Sequence, residues 1–470
     1  MYAVGIDIGT TTVCGVLLDV KNGRVEDVKT LDNDAAFRGQ AYERLQNPER
    51  IWELVENIYK GFLLEHPQID CIGLTGQMHG ILYTDRDGKA ASPLFSWQDE
   101  RGNEPYPGEE GKTYAQVLSE LTGYSMATGF GLTTHFYNLK NNLIPEGAVS
   151  FCTIQDYMGM RLTGRKAPCL AVSDGASLGC FDLEQMEFDR KALEKAGINP
   201  EILPSCTADC SLLGKTAEGI PVSTGIGDNQ ASVIGSVREL EGSVLVNVGT
   251  ASQISTGLTK YVKADKTELR AISRDQYILV GAGLCGGRAY AALESFFRRT
   301  VERMTGKDPG KLYGAMEKIL KERGSHGTDL KVDTRFCGTR TEPGRRGGIE
   351  NLGLENFTPE EFILGVLDGM AEELHTFYRE MEKLGVARAK YLIGSGNGLR
   401  MNPWLQRIFE ERFGLPMQIP VHKEEAAYGA ALWALTAAGA YPGRHGGRPL
   451  RAETDENLRR GGSQTRPPWP

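Results

Sequence analysis

The sequence predicts an α/β protein built in two similar halves, and three observations carry that reading. Strand-like and helix-like apolar patterns alternate along most of the chain. A strand–turn–strand unit at residues 4–19, VGIDIGTTTVCGVLLD, is echoed at 243–256 by SVLVNVGTASQIST. Setting Asp7 against Asn247 puts Gly9 on Gly249 and Thr10 on Thr250, a spacing of about half the 470-residue chain. Each half is therefore expected to open with the same β-hairpin. The expected division is 1–240, 241–440 and a Gly/Arg/Pro-rich, poorly ordered tail at 441–470.

The elements follow in order. Pro48 opens a helix whose Ile51, Leu54, Val55, Ile58 and Phe62 share one face. It leads into CIGLTGQMHG, a buried-looking strand that ends in polar residues. In the second half, Thr358-Pro359 reads as a cap and first-turn proline. Phe362, Val366, Met370, Leu374 and Phe377 then form an apolar stripe. The strand YLIGSG follows, then a further helix, then EEAAYGAALWAL, whose small residues allow close packing.

Composition narrows the class. Apolar residues make up 40% and charged residues 24% of the chain, as in soluble globular proteins. A net charge of −8 favours neither nucleic acid nor an anionic membrane as partner. The longest uncharged apolar stretch, 426–441, is short for a bilayer span. Asp7 falls where a signal peptide would need its apolar core. Nine cysteines, odd in number and scattered, suit a reducing compartment, so a cytoplasmic location is expected. Cys206 and Cys210 lack the second ligand pair of a zinc site.

The chemistry starts at the hairpin turns. Gly9, Thr10, Thr11 and Thr12 concentrate backbone N–H groups and hydroxyls at one spot, as a phosphate cradle needs. A hairpin turn of high β-propensity explains the same letters, and both readings stay open for a single turn. Gly249 and Thr250 supply a second such turn, and two turns facing each other would hold a triphosphate from both sides. Asp7 would repel phosphate unless a cation stood between them, which points to Mg²⁺ bound through water. In GIGDNQAS at 225–232, Asp228 has two readings: an N-cap where a helix starts, or a carboxylate that takes the proton of an attacking hydroxyl.

These motifs together resemble the FGGY family of carbohydrate kinases, within the actin-like ATPase superfamily. The resemblance runs through VGIDIGTTT, GLTGQMHG at 73–80, WQDER at 97–101 and GIGDNQAS. It continues through VNVGTASQ at 246–253, GGRAYAALESFFRR at 286–299, GSGNGLRMNPWLQ at 394–406 and EEAAYGAA at 424–431. It implies two ribonuclease-H-like domains, each a mixed sheet flanked by helices, with ATP bound in a hinged cleft. By position, Asp228 is implied as the general base, and Gly9 to Thr12 with Gly249 and Thr250 as phosphate-binding. Asp7 would organise Mg²⁺. Gly394, Ser395, Gly396 and Asn397 would lie against the adenosine, with Glu425 on the helix closing that pocket.

On the acceptor side the resemblance implies Gln77, Met78 and His79, with Trp97, Gln98, Asp99 and Arg101, as sugar-binding residues. Trp97 offers a flat apolar face for sugar C–H groups. Gln98, Asp99 and Arg101 offer donors and acceptors for a row of hydroxyls. GQMHG points to the branch that handles ketoses. ATGFGLTTHF at 127–136, TIQDYMGMRLTG at 153–164 and SDGASLGCFD at 173–182 resemble the members acting on sedoheptulose more than those acting on xylulose. The expected partners are a small ketose and, at most, a second copy of the chain. Cys14 departs from the family, where many members carry Lys or Arg; a neutral thiol there leaves open a sugar and ATP sensor with weak turnover.

Overall fold

The computed structural model describes residues 1–324, 327–339, 342 and 344–440. The tail expected at 441–470 lies outside the described residues. Two compact units emerge. The first holds Met1–Arg238, Arg270–Tyr277 and the segment from His422; the second holds Glu239–Leu269 and Ile278–Val421.

The first unit is built on a mixed sheet. Its strands run in the order Leu212–Lys215, Pro221–Ser223, Cys71–Gly76, Tyr2–Ile8, Thr12–Asp19 and Arg24–Asp32. Tyr2–Ile8 pairs antiparallel with Thr12–Asp19 and parallel with Cys71–Gly76. The two central strands are apolar nearly throughout because both faces are covered. Arg24–Asp32, at the edge, alternates exposed and half-buried residues. The helix Pro48–Glu65 starts where Asn47 accepts the Glu49 and Arg50 N–H groups, and buries the face named above. It lies over Gly15, where a Cβ would stand 2.3 Å from the Ile58 side chain.

The second unit repeats the motif. Its sheet includes, in order, Ser252–Leu258, Ser243–Val248, Tyr391–Ser395 and Met417–Gln418. Ser243–Val248 again pairs antiparallel with the strand that follows it and parallel with a later one, Tyr391–Ser395. Val366, Met370 and Leu374 of the helix Pro359–Lys383 are buried as expected, while Phe362 and Phe377 are only half-buried.

Compactness groups some segments across the 240/241 boundary. Arg270–Tyr277 and the helix Glu425–Ala437, expected in the nucleotide-binding half, belong to the first unit. The reason is close backbone packing. A Cβ on Gly5 would stand 1.8 Å from the Ala427 carbonyl, and one on Gly73 would stand 1.9 Å from that of Ala430. Gly235 meets the Glu425 carbonyl in the same way, and Gly429 that of Ala231. The helix thus sits on bare backbone of the sheet and of the helix Asp228–Ser236.

Gly73→Ala forces one of these backbones to move and is expected to cost about 3 kcal/mol, seen as a lowered thermal unfolding midpoint. The same change at Gly314, which has open space around it, should be neutral or slightly stabilising.

Candidate active site

The first turn is tied down from inside the first unit. The Gly9 carbonyl accepts from Asn33 Nδ2 at 2.8 Å, and the Thr10 carbonyl from Gln46 Nε2 at 2.9 Å. The Thr11 carbonyl accepts from the Asn33 N–H at 2.8 Å, and the Thr12 carbonyl from the Gly9 N–H at 2.9 Å. With every carbonyl of the turn and the Gly9 N–H engaged, its remaining N–H groups and the exposed Thr11 and Thr12 hydroxyls are the chemistry it can offer an anion. Thr11 and Thr12 are exposed.

The same turn is joined to residues expected on the sugar side. Trp97 Nε1 donates to Thr10 Oγ1 at 3.0 Å. Buried Gln77 donates through Nε2 to Gln46 Oε1 at 2.6 Å, and its own Oε1 lies 3.5 Å from Thr10 Oγ1. Gln46 therefore bridges Thr10 and Gln77. Neither Gln46 nor Asn33 was singled out from the sequence, for neither sits in a recognisable motif. The Trp97 side chain, 44% exposed, has its ring available beside this network.

Asp7 lies opposite Cys14 across the hairpin. Its Oδ1 is buried without a hydrogen-bond partner. Burial, then the charges of Asp228 and Glu424, push its pKa up to about 7. Cys14 is a buried thiol pushed up to about 12, mainly by burial, and so supplies no positive charge. A buried carboxyl with an unpartnered oxygen, raised by two neighbouring carboxylates, fits a cation. Among the described residues no three His, Cys, Asp or Glu side chains form a direct ligand cluster, so a cation beside Asp7 would keep water in its shell.

Asp228 is the first residue of its helix, and the N-cap position belongs to Gly227, which corrects the capping expectation. Asp228 Oδ1 accepts from the Asn229 N–H at 2.6 Å. Burial raises its pKa, opposed by Arg270 and by that N–H. Arg270 also donates to Asn229 Oδ1 at 3.0 Å. The Met78 side chain packs against Gly227, its sulfur 2.7 Å from where a Cβ would stand.

His79 adopts a left-handed backbone, φ +74°, unusual for a residue with a side chain. Its Nδ1 lies 2.6 Å from the Ser177 carbonyl; facing an acceptor, that nitrogen carries a proton. Asp99 and Arg101 require a correction. Asp99 is fully buried and accepts from Arg101 Nε at 2.6 Å and from the Arg44 N–H at 3.1 Å. Arg101, 2% exposed, also donates to Asn138 and Glu43 and lies 4.2 Å over the Phe95 ring. Their polar groups are spent on the protein rather than presented to hydroxyls. Gln98 is exposed.

In the second unit, Gly249 and Thr250 are capped by the start of the helix Gly286–Thr305. The Gly287 N–H donates to the Gly249 carbonyl at 2.8 Å, and the Arg288 N–H to that of Thr250 at 3.2 Å. Gly394 and Ser395 end a strand, and Gly396 turns at φ +80° into the short helix Asn397–Arg400. A Cβ on Gly396 would stand 2.5 Å from the Val248 carbonyl, so this glycine is needed for packing next to the turn at 249–250.

A further acid pair lies beneath the first-unit cluster. Asp156 and Asp174 are both buried, and burial raises both. Asp156 Oδ1 and Asp174 Oδ2 are without hydrogen-bond partners, and both approach the missing Cβ of Gly225, at 2.8 and 3.2 Å. Raised carboxyls bind protons more tightly in the folded state. Their stabilising contribution is full below the unfolded value of about 4 and is lost as pH climbs through their raised values. Asp174→Asn keeps the acceptor for Gln155 and carries no charge. It should reduce the fall in melting temperature between pH 5 and 8 by about 3 °C or more relative to the unchanged protein.

Both halves match models of the FGGY family of carbohydrate kinases, the N-terminal domain over residues 2–235 and the C-terminal domain over 246–438. The chain belongs to that family and is a carbohydrate kinase. It is similar to sedoheptulokinases from Mus musculus and Homo sapiens, each 26% identical over 91% of this chain and 96% of the relative. A gluconokinase from Bacillus subtilis is 23% identical over 93% of this chain and 88% of the relative. Among solved structures, a xylulose kinase from Lactobacillus acidophilus with bound ligand aligns at TM-score 0.78 and 18% identity, covering 94% of this chain and 90% of that one. A Plasmodium falciparum glycerol kinase with ADP aligns at TM-score 0.77 and 18% identity over the same shares, 94% and 90%. These likenesses establish the two-domain α/β fold. No helix among the described residues is long and apolar enough to cross a membrane.

Proposed function

We propose that this kinase transfers the γ-phosphoryl group of ATP to the terminal primary hydroxyl of a ketose, D-sedoheptulose ahead of D-xylulose. The observation that carries the reading is the placement of Asp228. It heads a helix in the same unit as the Thr10–Gln46–Gln77–Trp97 network, buried enough to be raised above an ordinary carboxylate. A base with a raised pKa accepts a hydroxyl proton more readily. Support for the sugar comes from the sedoheptulokinase relatives, which match nearly end to end, and from the three stretches between 127 and 182.

The ketose lies against Trp97, with hydroxyls at Gln77 and at His79 Nε2. Asp228 orients the terminal hydroxyl and receives its proton as the oxygen bonds to the γ-phosphorus. The bond from phosphorus to the bridging oxygen breaks, and ADP leaves with that electron pair. In a loose transition state, orientation and charge neutralisation do most of the work. Gly9–Thr12 and, in the second unit, Gly249 and Thr250 bind phosphate oxygens, while Gly394–Asn397 receive the adenosine. Asp7 would hold Mg²⁺ through water, and the chemistry the ion would supply there is charge neutralisation on the phosphates.

Asp228→Asn should lower kcat by about a thousandfold while ATP binding, read by calorimetry, stays unchanged; surviving turnover would remove Asp228 as the base. ADP release with D-sedoheptulose, D-xylulose, D-ribulose, D-fructose and glycerol tests the acceptor. The highest kcat/KM is expected for D-sedoheptulose. A clear preference for another acceptor would overturn the choice of sugar, and the absence of sugar-stimulated turnover would favour the sensor reading.

A further inference from the structure

The geometry points to Ser173 and Ser177, on one six-residue helix, as two positioning residues with separate duties: Ser173 for the turn that carries Asp228, Ser177 for His79. This rests on the kinase reading above and deepens it. The helix Val172–Ser177 is buried almost throughout. Ser173 Oγ accepts from the Gly227 N–H at 3.2 Å, one residue before Asp228. The neighbouring carbonyl, that of Ile226, accepts from Thr75 Oγ1 at 2.7 Å. The approach to the catalytic carboxylate is thereby held by two hydroxyls.

At the other end of the helix, Ser177 Oγ accepts from the His79 N–H at 3.2 Å and donates to the Asp174 carbonyl at 2.7 Å. The Ser177 carbonyl holds Nδ1 of the same histidine. Phe130 stacks on the imidazole with centroids 4.8 Å apart and planes 5° from parallel. A histidine at φ +74° keeps such a backbone only where its surroundings over-determine it. Here the Oγ, the carbonyl and the aromatic face do so together.

The three stretches that pointed toward sedoheptulose converge on this helix. Phe130 comes from 127–136, and the Leu132 N–H donates to the Leu178 carbonyl at 3.0 Å. Gln155, from 153–164, donates to Asp174 Oδ1 at 2.9 Å. Ser173, Asp174 and Ser177 come from the third. They form one support behind two functional groups, so a change in any of them can shift sugar recognition without touching sugar.

The test measures kcat and KM for D-sedoheptulose and D-xylulose, together with amide hydrogen exchange at His79 and Gly227, in Ser177→Ala and Ser173→Ala. Loss of one hydrogen bond corresponds to about a fivefold effect. Ser177→Ala should raise the ketose KM about fivefold or more with kcat within twofold, and should speed exchange at His79 only. Ser173→Ala should lower kcat about fivefold or more with the ketose KM within twofold, and should speed exchange at Gly227 only. Ser177→Thr and Ser173→Thr, which keep the hydroxyl, should recover most of each loss. Parallel changes in kcat and KM in both variants, or exchange that rises at both amides together, would overturn the division of duties. Should either Ala variant fold poorly, the Thr variants and Phe130→Leu, expected to raise KM alone, decide the matter. If the unchanged protein phosphorylates neither sugar, the kinase reading of the acceptor fails, and the exchange data decide whether the serines hold the two turns.

Discussion

The first unit depends on a helix laid directly on backbone. Glu425–Ala437 approaches Gly5, Gly73 and Gly235 so closely that none of the three can carry a side chain. This contact links the sheet strand that carries Asp7 with the helix that begins at Asp228. It also brings Glu424, the N-cap of that helix, close enough for its charge to act on Asp7. Residues more than 400 positions apart are thereby fixed relative to one another by main chain packed against main chain. Such packing is stiff, because no side chain can rotate to absorb a displacement.

Charge is the second organising theme. Asp7, Asp228 and Glu424 share a neighbourhood in which Cys14 is a neutral thiol. Below them, Asp156 and Asp174 face one space beside Gly225. Concentrating carboxylates away from water costs stability, and sites of chemistry are where that cost is commonly met. The first unit accordingly carries an acidic interior that would be a defect in a purely structural domain.

The hairpins were legible in the sequence because strand periodicity and the Gly-Thr turn are local signals, and both units build the same pairing around them. The helix at 48–65 was legible for the same reason: its stripe and its proline are written within a few turns. What could not be read depends on tertiary neighbours. Gln46 and Asn33 act on the turn through contacts across 36 and 24 residues. Asp99 and Arg101 look the same in sequence whether they face a sugar or each other, and only burial shows that they bind each other. The packing of the helix Glu425–Ala437 within the first unit rests on glycines scattered between positions 5 and 235, which announce no pairing by themselves. Ser177 is one of many serines until the strained His79 is seen above it.

The most direct test of the account is a crystal structure of the Asp228→Asn protein with D-sedoheptulose bound. The account predicts the terminal hydroxyl about 3 Å from the residue 228 side chain, with the remaining hydroxyls at Gln77 and His79 and the carbon skeleton along Trp97. Sugar bound away from these residues, or bound with its terminal hydroxyl turned from position 228, would contradict it.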